Sequence, residues 1–237
     1  MKKKKNWRLI LLGLFLILAG IIGLFVRTYQ SYSVGGSTVQ EVTVPEDGER
    51  YYMYEAGPQS EFADRATQQL QAEDITVPLI LQTDERWAEE TLTSQYGTTI
   101  AEAGSGITAL AMLLSYFEGH PYELGDFDYW MYEDYFRSDQ QLSWRFFTEV
   151  GEEFGYPLNN LGADFSAVED KLLNGQPVIV STKPNTFYPE EHFMILLQKN
   201  DQLRILDPLD TPEKEHYKQS YDAAELTDQI QNYWAAY

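Results

Sequence analysis

The stretch Gly104-Ser105-Gly106-Ile107-Thr108-Ala109-Leu110-Ala111-Met112-Leu113-Leu114-Ser115-Tyr116 sets a tight glycine-serine-glycine step directly before an apolar run. Counted from Ser105, the residues Ala109, Met112, Leu113 and Tyr116 fall on one face of an α-helix, and Gly119 supplies its stop. That face has to be buried against another layer of the fold. The first turn of such a helix carries unpaired N–H groups and the positive end of the helix dipole. A nucleophile mounted there has amides beside it that can stabilise an oxyanion. Ser105 is therefore a candidate reactive residue.

A serine nucleophile needs a histidine to take its proton and a carboxylate to orient that histidine. The chain has three histidines. His120 follows Gly119 and stands a helix length from Ser105. His216 sits in Glu213-Lys214-Glu215-His216-Tyr217-Lys218 and is expected in solvent. His192 opens the apolar run His192-Phe193-Met194-Ile195-Leu196-Leu197 behind Glu190 and Glu191. Lys199-Asn200-Asp201 reads as a turn and Leu203-Arg204-Ile205-Leu206-Asp207 as the returning strand, so His192 and Asp207 meet at the same end of a hairpin. On its own such a trio is unspecific, since serine, histidine and aspartate occur in suitable elements of many proteins.

The remaining pattern predicts an α+β fold, with helices first and a small, mainly antiparallel sheet second. Pro177-Val178-Ile179-Val180-Ser181 reads as a buried central strand, and Ile75 to Gln82 as a strand with Pro78 near an edge. Three helices are expected. Ser143 caps one that buries Phe146, Phe147, Val150 and Phe154; Asp164 caps another with Phe165, Val168, Leu172 and Leu173 inward; Asp222 starts a third, with Glu225 in a capping box and Leu226, Ile230 and Tyr233 apolar. The acidic and aromatic segment from Pro121 to Asp139 lacks a calcium-loop pattern and a histidine ligand, so it reads as a solvated face on an aromatic-packed helix. No metal and no cofactor is expected.

Leu9 to Val26 contains no charge, and its 18 residues would make a helix of about 27 Å, close to the hydrocarbon thickness of a bilayer. Lys2, Lys3, Lys4, Lys5 and Arg8 precede it, which orients the N-terminus to the cytoplasm. No small-residue cleavage site follows, and a lipoprotein would need a cysteine. The expected organisation is a basic cytoplasmic tail at 1–8, a transmembrane signal anchor at 9–26, an extracytoplasmic stalk at 27–75 and a folded domain at 76–237. Within the stalk, Glu61 to Glu73 reads as a short helix. Six of the 17 basic residues lie in 1–27 and all 37 acidic ones beyond it, so the remainder carries a formal charge of −26. Nucleic acid is excluded as a partner on that ground. The count of zero cysteines also removes disulfides and any thiol nucleophile.

Five stretches, in order, resemble the C39-like papain-like cysteine peptidases, a group of exported or membrane-bound bacterial proteins. They are Val77 to Gln82 with Trp87, Gly104 to Met112, Asn174 to Val180, His192-Phe193 and Asp207-Pro208. The resemblance implies a papain-like fold in which a nucleophile helix packs on a small antiparallel sheet. It also implies that His192 is the general base, Asp207 its orienting partner and Gln82 the oxyanion-hole side chain. Ser105 then stands at the cysteine position, Ile107 at that of the usual proline and Glu191 at that of the usual glycine. A serine cannot be pre-ionised as a thiol is by a helix N-terminus and a histidine. Three readings follow: a pseudopeptidase that binds a peptide or cell-envelope protein, which is the expected one; a hydrolase using Ser105, His192 and Asp207; or a cysteine enzyme whose nucleophile has been substituted.

Overall fold

The helix that follows the Gly104-Ser105-Gly106 step lies at the centre of the fold. Ser105–Glu118 is α-helical, every residue from Ser105 to Ser115 is buried, and Gly119 ends it in the left-handed conformation at φ 65°. The computed structural model describes residues 60–93, 97–127, 133–137, 139 and 141–237, together with Gln40–Glu41 (β1) paired antiparallel to Tyr52–Met53 (β2). All of these belong to the compact unit Val39–Tyr237. The basic tail, the anchor expected at 9–26 and most of the stalk lie outside the described residues. Among the described residues, no helix is long and apolar enough to cross a membrane.

The helices are α1 (Ser60–Ala72), α2 (Ile100–Ala103), α3 (Ser105–Glu118), α4 (Arg145–Glu153), α5 (Ser166–Leu173) and α6 (Ala223–Thr227). The main sheet holds β3 (Leu158–Gly162), β4 (Val178–Thr182), β5 (His192–Lys199), β6 (Gln202–Leu206) and β7 (Ile230–Ala236). Their order is β3-β7-β4-β5-β6, with every pairing antiparallel. The fold is α+β, as expected.

Alternation along the strands divides the core. Ile179, Phe193, Ile195, Leu206 and Trp234 join the cluster containing α1, α3 and α4, while Val178, Val180, Met194, Leu196, Ile205 and Tyr233 join the cluster containing Val168, Leu172 and Leu226. Register enforces this: Ile179 lies opposite both Ile195 and Trp234, and Val180 opposite both Met194 and Tyr233. Each fully buried aliphatic or aromatic side chain contributes about 1.5–3 kcal/mol. Both sheet faces are covered, and α3 packs directly on β5.

The β5–β6 hairpin forms where the sequence places it. Asn200 and Asp201 have φ of 52° and 59°, the two left-handed residues that a two-residue type I′ turn requires. Other expectations meet a different outcome. Residues 230–236, read as the end of a helix from Asp222, form β7 inside the sheet, and only Ala223–Thr227 is helical behind the Asp222 cap. Residues 75–81, buried except for Thr76, join no ladder; Leu79 N donates to Thr67 Oγ1 at 2.9 Å and Gln82 N to Pro208 O at 2.9 Å. Leu173, read as inward, is 59 % exposed, and β3 has no counterpart in the sequence reading. In the acidic segment the described residues form two 3-10 turns, Leu124–Phe127 and Glu133–Tyr135, instead of a long helix, and they bury Phe127, Tyr135 and Phe136.

The sequence puts α1 in the stalk, yet its Phe62, Ala63, Ala66 and Leu70 are buried in the main core. Gln69 Oε1 accepts a hydrogen bond from Tyr217 Oη at 2.6 Å. The packed core among the described residues therefore begins at Phe62.

Candidate functional site

Ser105 is the first residue of α3, directly behind the Gly104 cap. Gly104 has no room for a side chain, because a Cβ there would stand 2.4 Å from Ile100 O and 2.7 Å from Ile100 Cγ2. Its carbonyl accepts both the N–H and the hydroxyl of Thr108, each at 2.9 Å. Backbone packing thus sets where Ser105 points. Ser105 is 8 % exposed, and its Oγ accepts from Phe193 N–H at 3.4 Å. Among the described residues no hydrogen bond joins Ser105 to His192.

His192 is the first residue of β5 and Asp207 the first residue after β6. The hairpin brings them together as expected, with His192 Nε2 2.7 Å from Asp207 Oδ1. Asp207 is fully buried. Leu209 N–H also donates to Oδ1, at 2.8 Å, while Tyr188 Oη donates to Oδ2 at 2.6 Å. His216 Nδ1 approaches the same Oδ2 at 2.8 Å. Burial alone would push the Asp207 carboxyl up; the hydrogen bonds from His192, His216 and Tyr188 outweigh it and hold the group well below the usual carboxylate range. An ionised carboxylate only accepts, so the His192 Nε2 that meets Oδ1 is a protonated ring nitrogen.

His216 corrects the sequence reading. Its side chain is 17 % exposed and bound to Asp207, whereas the charged run around it suggested solvent. The cause is Asp210, also buried, whose carboxylate collects the N–H groups of Thr211, His216 and Tyr217 at 2.8, 2.9 and 3.1 Å and folds the loop back on itself. Tyr188 is a second unforeseen member. Its ring lies 4.3 Å from that of His192, and its hydroxyl accepts from Lys214 Nζ at 2.7 Å. Burial first, then the Asp207 charge, pushes the Tyr188 hydroxyl far above its ordinary range, so it stays a donor. The spacing of Asp207 and Asp210 in a proline-rich turn is the sequence signal that points toward this loop. His120 lies past Gly119, beyond the far end of α3, and is exposed.

Gln82 and Ser105 both line a cleft of about 610 Å³, together with Glu102, Leu142, Tyr188 and His192. Its Nε2 donates to Ala101 O at 2.8 Å and, more weakly, to Ile100 O at 3.4 Å. Glu191, next to His192, holds its Oε1 on Trp144 Nε1, Ser181 Oγ and Gln231 Nε2 at 2.7, 2.5 and 2.8 Å. All four expected site residues therefore line one cleft or, in the case of Asp207, stand directly behind it. The arrangement supplies a hydroxyl at a helix N-terminus, a base anchored on a buried carboxylate and an amide side chain beside them.

Residues 75–237 match the Peptidase_C39 like family. The chain belongs to that family and is a peptidase-like protein. The chain is also similar to the crystal structure of a Bacillus anthracis protein assigned as a C39-like peptidase, at 16% sequence identity and a TM-score of 0.39, over 66% of this chain and 94% of the other. No curated protein matches the sequence.

Proposed function

We propose that this chain is a membrane-anchored, extracytoplasmic pseudopeptidase: residues 9–26 hold it in the cell membrane with the tail 1–8 in the cytoplasm. Its cleft binds a peptide or a segment of a cell-envelope protein at a serine, Ser105, that stands where the family carries a cysteine. One observation carries the reading. Ser105 Oγ takes its hydrogen bond from Phe193 N–H, and none links it to His192 among the described residues. A serine hydroxyl has to lose its proton as it attacks, so it depends on a direct hydrogen bond to the base. A thiol in the same place can be ionised beforehand and is less demanding of that contact. A displacement of about 1 Å at the nucleophile costs on the order of 100-fold in rate.

A second reading has its own support. His192 and Asp207 keep a 2.7 Å hydrogen bond with Tyr188 and His216 behind it, which favours a working hydrolase with Ser105, His192 and Asp207 as its triad and Gln82 at the oxyanion. Turnover of a broad peptide library by the full chain and by Ser105→Cys separates the two. The pseudopeptidase reading expects the cysteine variant to exceed the unaltered protein by at least about 100-fold. Turnover by the unaltered protein that is abolished in both Ser105→Ala and His192→Ala would overturn it in favour of the triad.

A further inference from the structure

The cleft walls are rich in hydrogen-bond acceptors. Among the described lining residues are four carboxylates, Glu102 on the serine side and Asp139, Glu190 and Glu191 opposite, and no lysine or arginine. Arg137 stands nearby, 3.2 Å from Asp139 and 3.9 Å from Glu191 Oε2. Glu102 and Glu190 form no ion pair among the described residues; they accept only from Thr99 N–H at 2.9 Å and Gln141 Nε2 at 3.1 Å. Glu191 is fixed rather than merely present. Its side chain is 7 % exposed and three donors hold Oε1, so a carboxylate is locked in place beside His192.

An independent feature asks for a donor as well. Gln82, on the same cleft, is 1 % exposed, and with Nε2 committed to the α2 carbonyls its Oε1 has no partner among the described residues. A buried acceptor left unpaired is unfavourable, and a donor brought by a bound molecule removes the penalty. Among the described residues no three carboxylates or histidines gather as a metal cluster. The acceptors are instead spread over two walls. That distribution suits an extended chain carrying several donors better than a single ion.

We infer that the cleft selects cationic peptides, with lysine or arginine side chains reaching Glu102 on one wall and Glu190 and Glu191 on the other. This rests on the reading of the cleft as a peptide site. Charge complementarity of this kind sets specificity and weakens with salt.

The full chain in detergent micelles, titrated with fluorescent, N-acetylated and C-amidated hexapeptides alternating glycine with lysine, glutamine or glutamate, tests it. The lysine peptide is expected to bind about tenfold tighter than the glutamine peptide at low salt, with the preference shrinking by 0.3 M salt. Glu102→Gln with Glu190→Gln keeps both as hydrogen-bond acceptors and is expected to erase the preference. Glu152→Gln with Glu153→Gln, on the exposed end of α4, keeps the same net charge as that pair and is expected to preserve it. Equal affinity for lysine and glutamine peptides, a glutamate preference, or equal losses in the two double variants would overturn the charge inference while peptide binding stood. Absence of binding by every peptide to a folded protein would overturn the peptide reading itself.

Discussion

Across the cleft, Asp207 takes four hydrogen bonds of 2.6, 2.7, 2.8 and 2.8 Å, whereas Ser105 Oγ takes one at 3.4 Å and Gln82 Oε1 takes none among the described residues. The histidine wall is fixed by side chains that satisfy one another. The serine wall is fixed by backbone, through α3, the Gly104 turn and the strand that carries Phe193. A change of nucleophile on the second wall therefore disturbs little else. Removing a member of the first strands several buried groups at once. The His192–Asp207 pair thus has a structural role of its own, independent of turnover.

Asp207→Ala is the strongest test of that contrast. It leaves His192, His216, Tyr188 and Leu209 N–H without their shared acceptor and is expected to cost about 3–5 kcal/mol, as breaking a buried charged pair does. Ser105→Ala is expected to change stability by less than about 1 kcal/mol, since one long hydrogen bond is lost. Urea unfolding of both variants measures the difference, and similar losses would remove the distinction between the walls. The pH dependence has a defined sign. The folded carboxyl is held below its unfolded value, so the stabilisation is complete above the unfolded pKa of about 3.9 and is lost as pH falls below it.

Gly104→Ala examines the backbone half of the comparison. The added Cβ would meet Ile100 O at 2.4 Å, an atom held in place by Gly104 N–H at 2.7 Å. Overpacking against backbone is expected to cost about 1–3 kcal/mol and to move Ser105 away from Phe193. Loss of peptide binding together with this destabilisation is the expected result. An unchanged unfolding midpoint would show that the turn has slack and that the serine wall is less fixed than the packing implies.

The two walls also differ in how far they could be read from sequence. The Ser105 helix and the His192–Asp207 hairpin depend on local signals: a glycine step, an apolar periodicity, an Asn-Asp turn. His216 joins Asp207 only because the loop after Pro208 closes on Asp210, and Tyr188 reaches the same carboxylate from the segment before β5; both are non-local events that the surrounding residues conceal. β7 was illegible for a related reason. Leu226, Ile230 and Tyr233 fit a helical period, but Ile230 and Asn232 to Ala236 are all buried between β3 and β4, and a strand covered on both faces carries no alternation to reveal it. Residues 75–82 failed in the opposite direction, with β-branched and apolar character that long-range packing used without a ladder.

Asp64 provides the smallest and most discriminating comparison, because it is a carboxyl on a packed element without the donors that Asp207 collects. It lies on α1, half-buried beside Arg86 and Asp84. Burial pushes its carboxyl up to about 6, against the lowering pull of Arg86. The sign is therefore opposite to that of Asp207. A folded pKa raised above the unfolded value favours folding at low pH, and that benefit is lost as pH rises through about 6. Asp64→Asn is expected to raise the melting temperature modestly at pH 7.5 and to leave it unchanged near pH 4, where the native side chain is already protonated. Melting curves of the two proteins across this range decide the matter. An equal offset at both pH values would show that the amide acts through packing and not through charge. A loss at pH 7.5 would show that the Asp64 carboxylate is a useful partner for Arg86, and that a buried carboxyl in this fold can be stabilised by one cation without the donor set that surrounds Asp207.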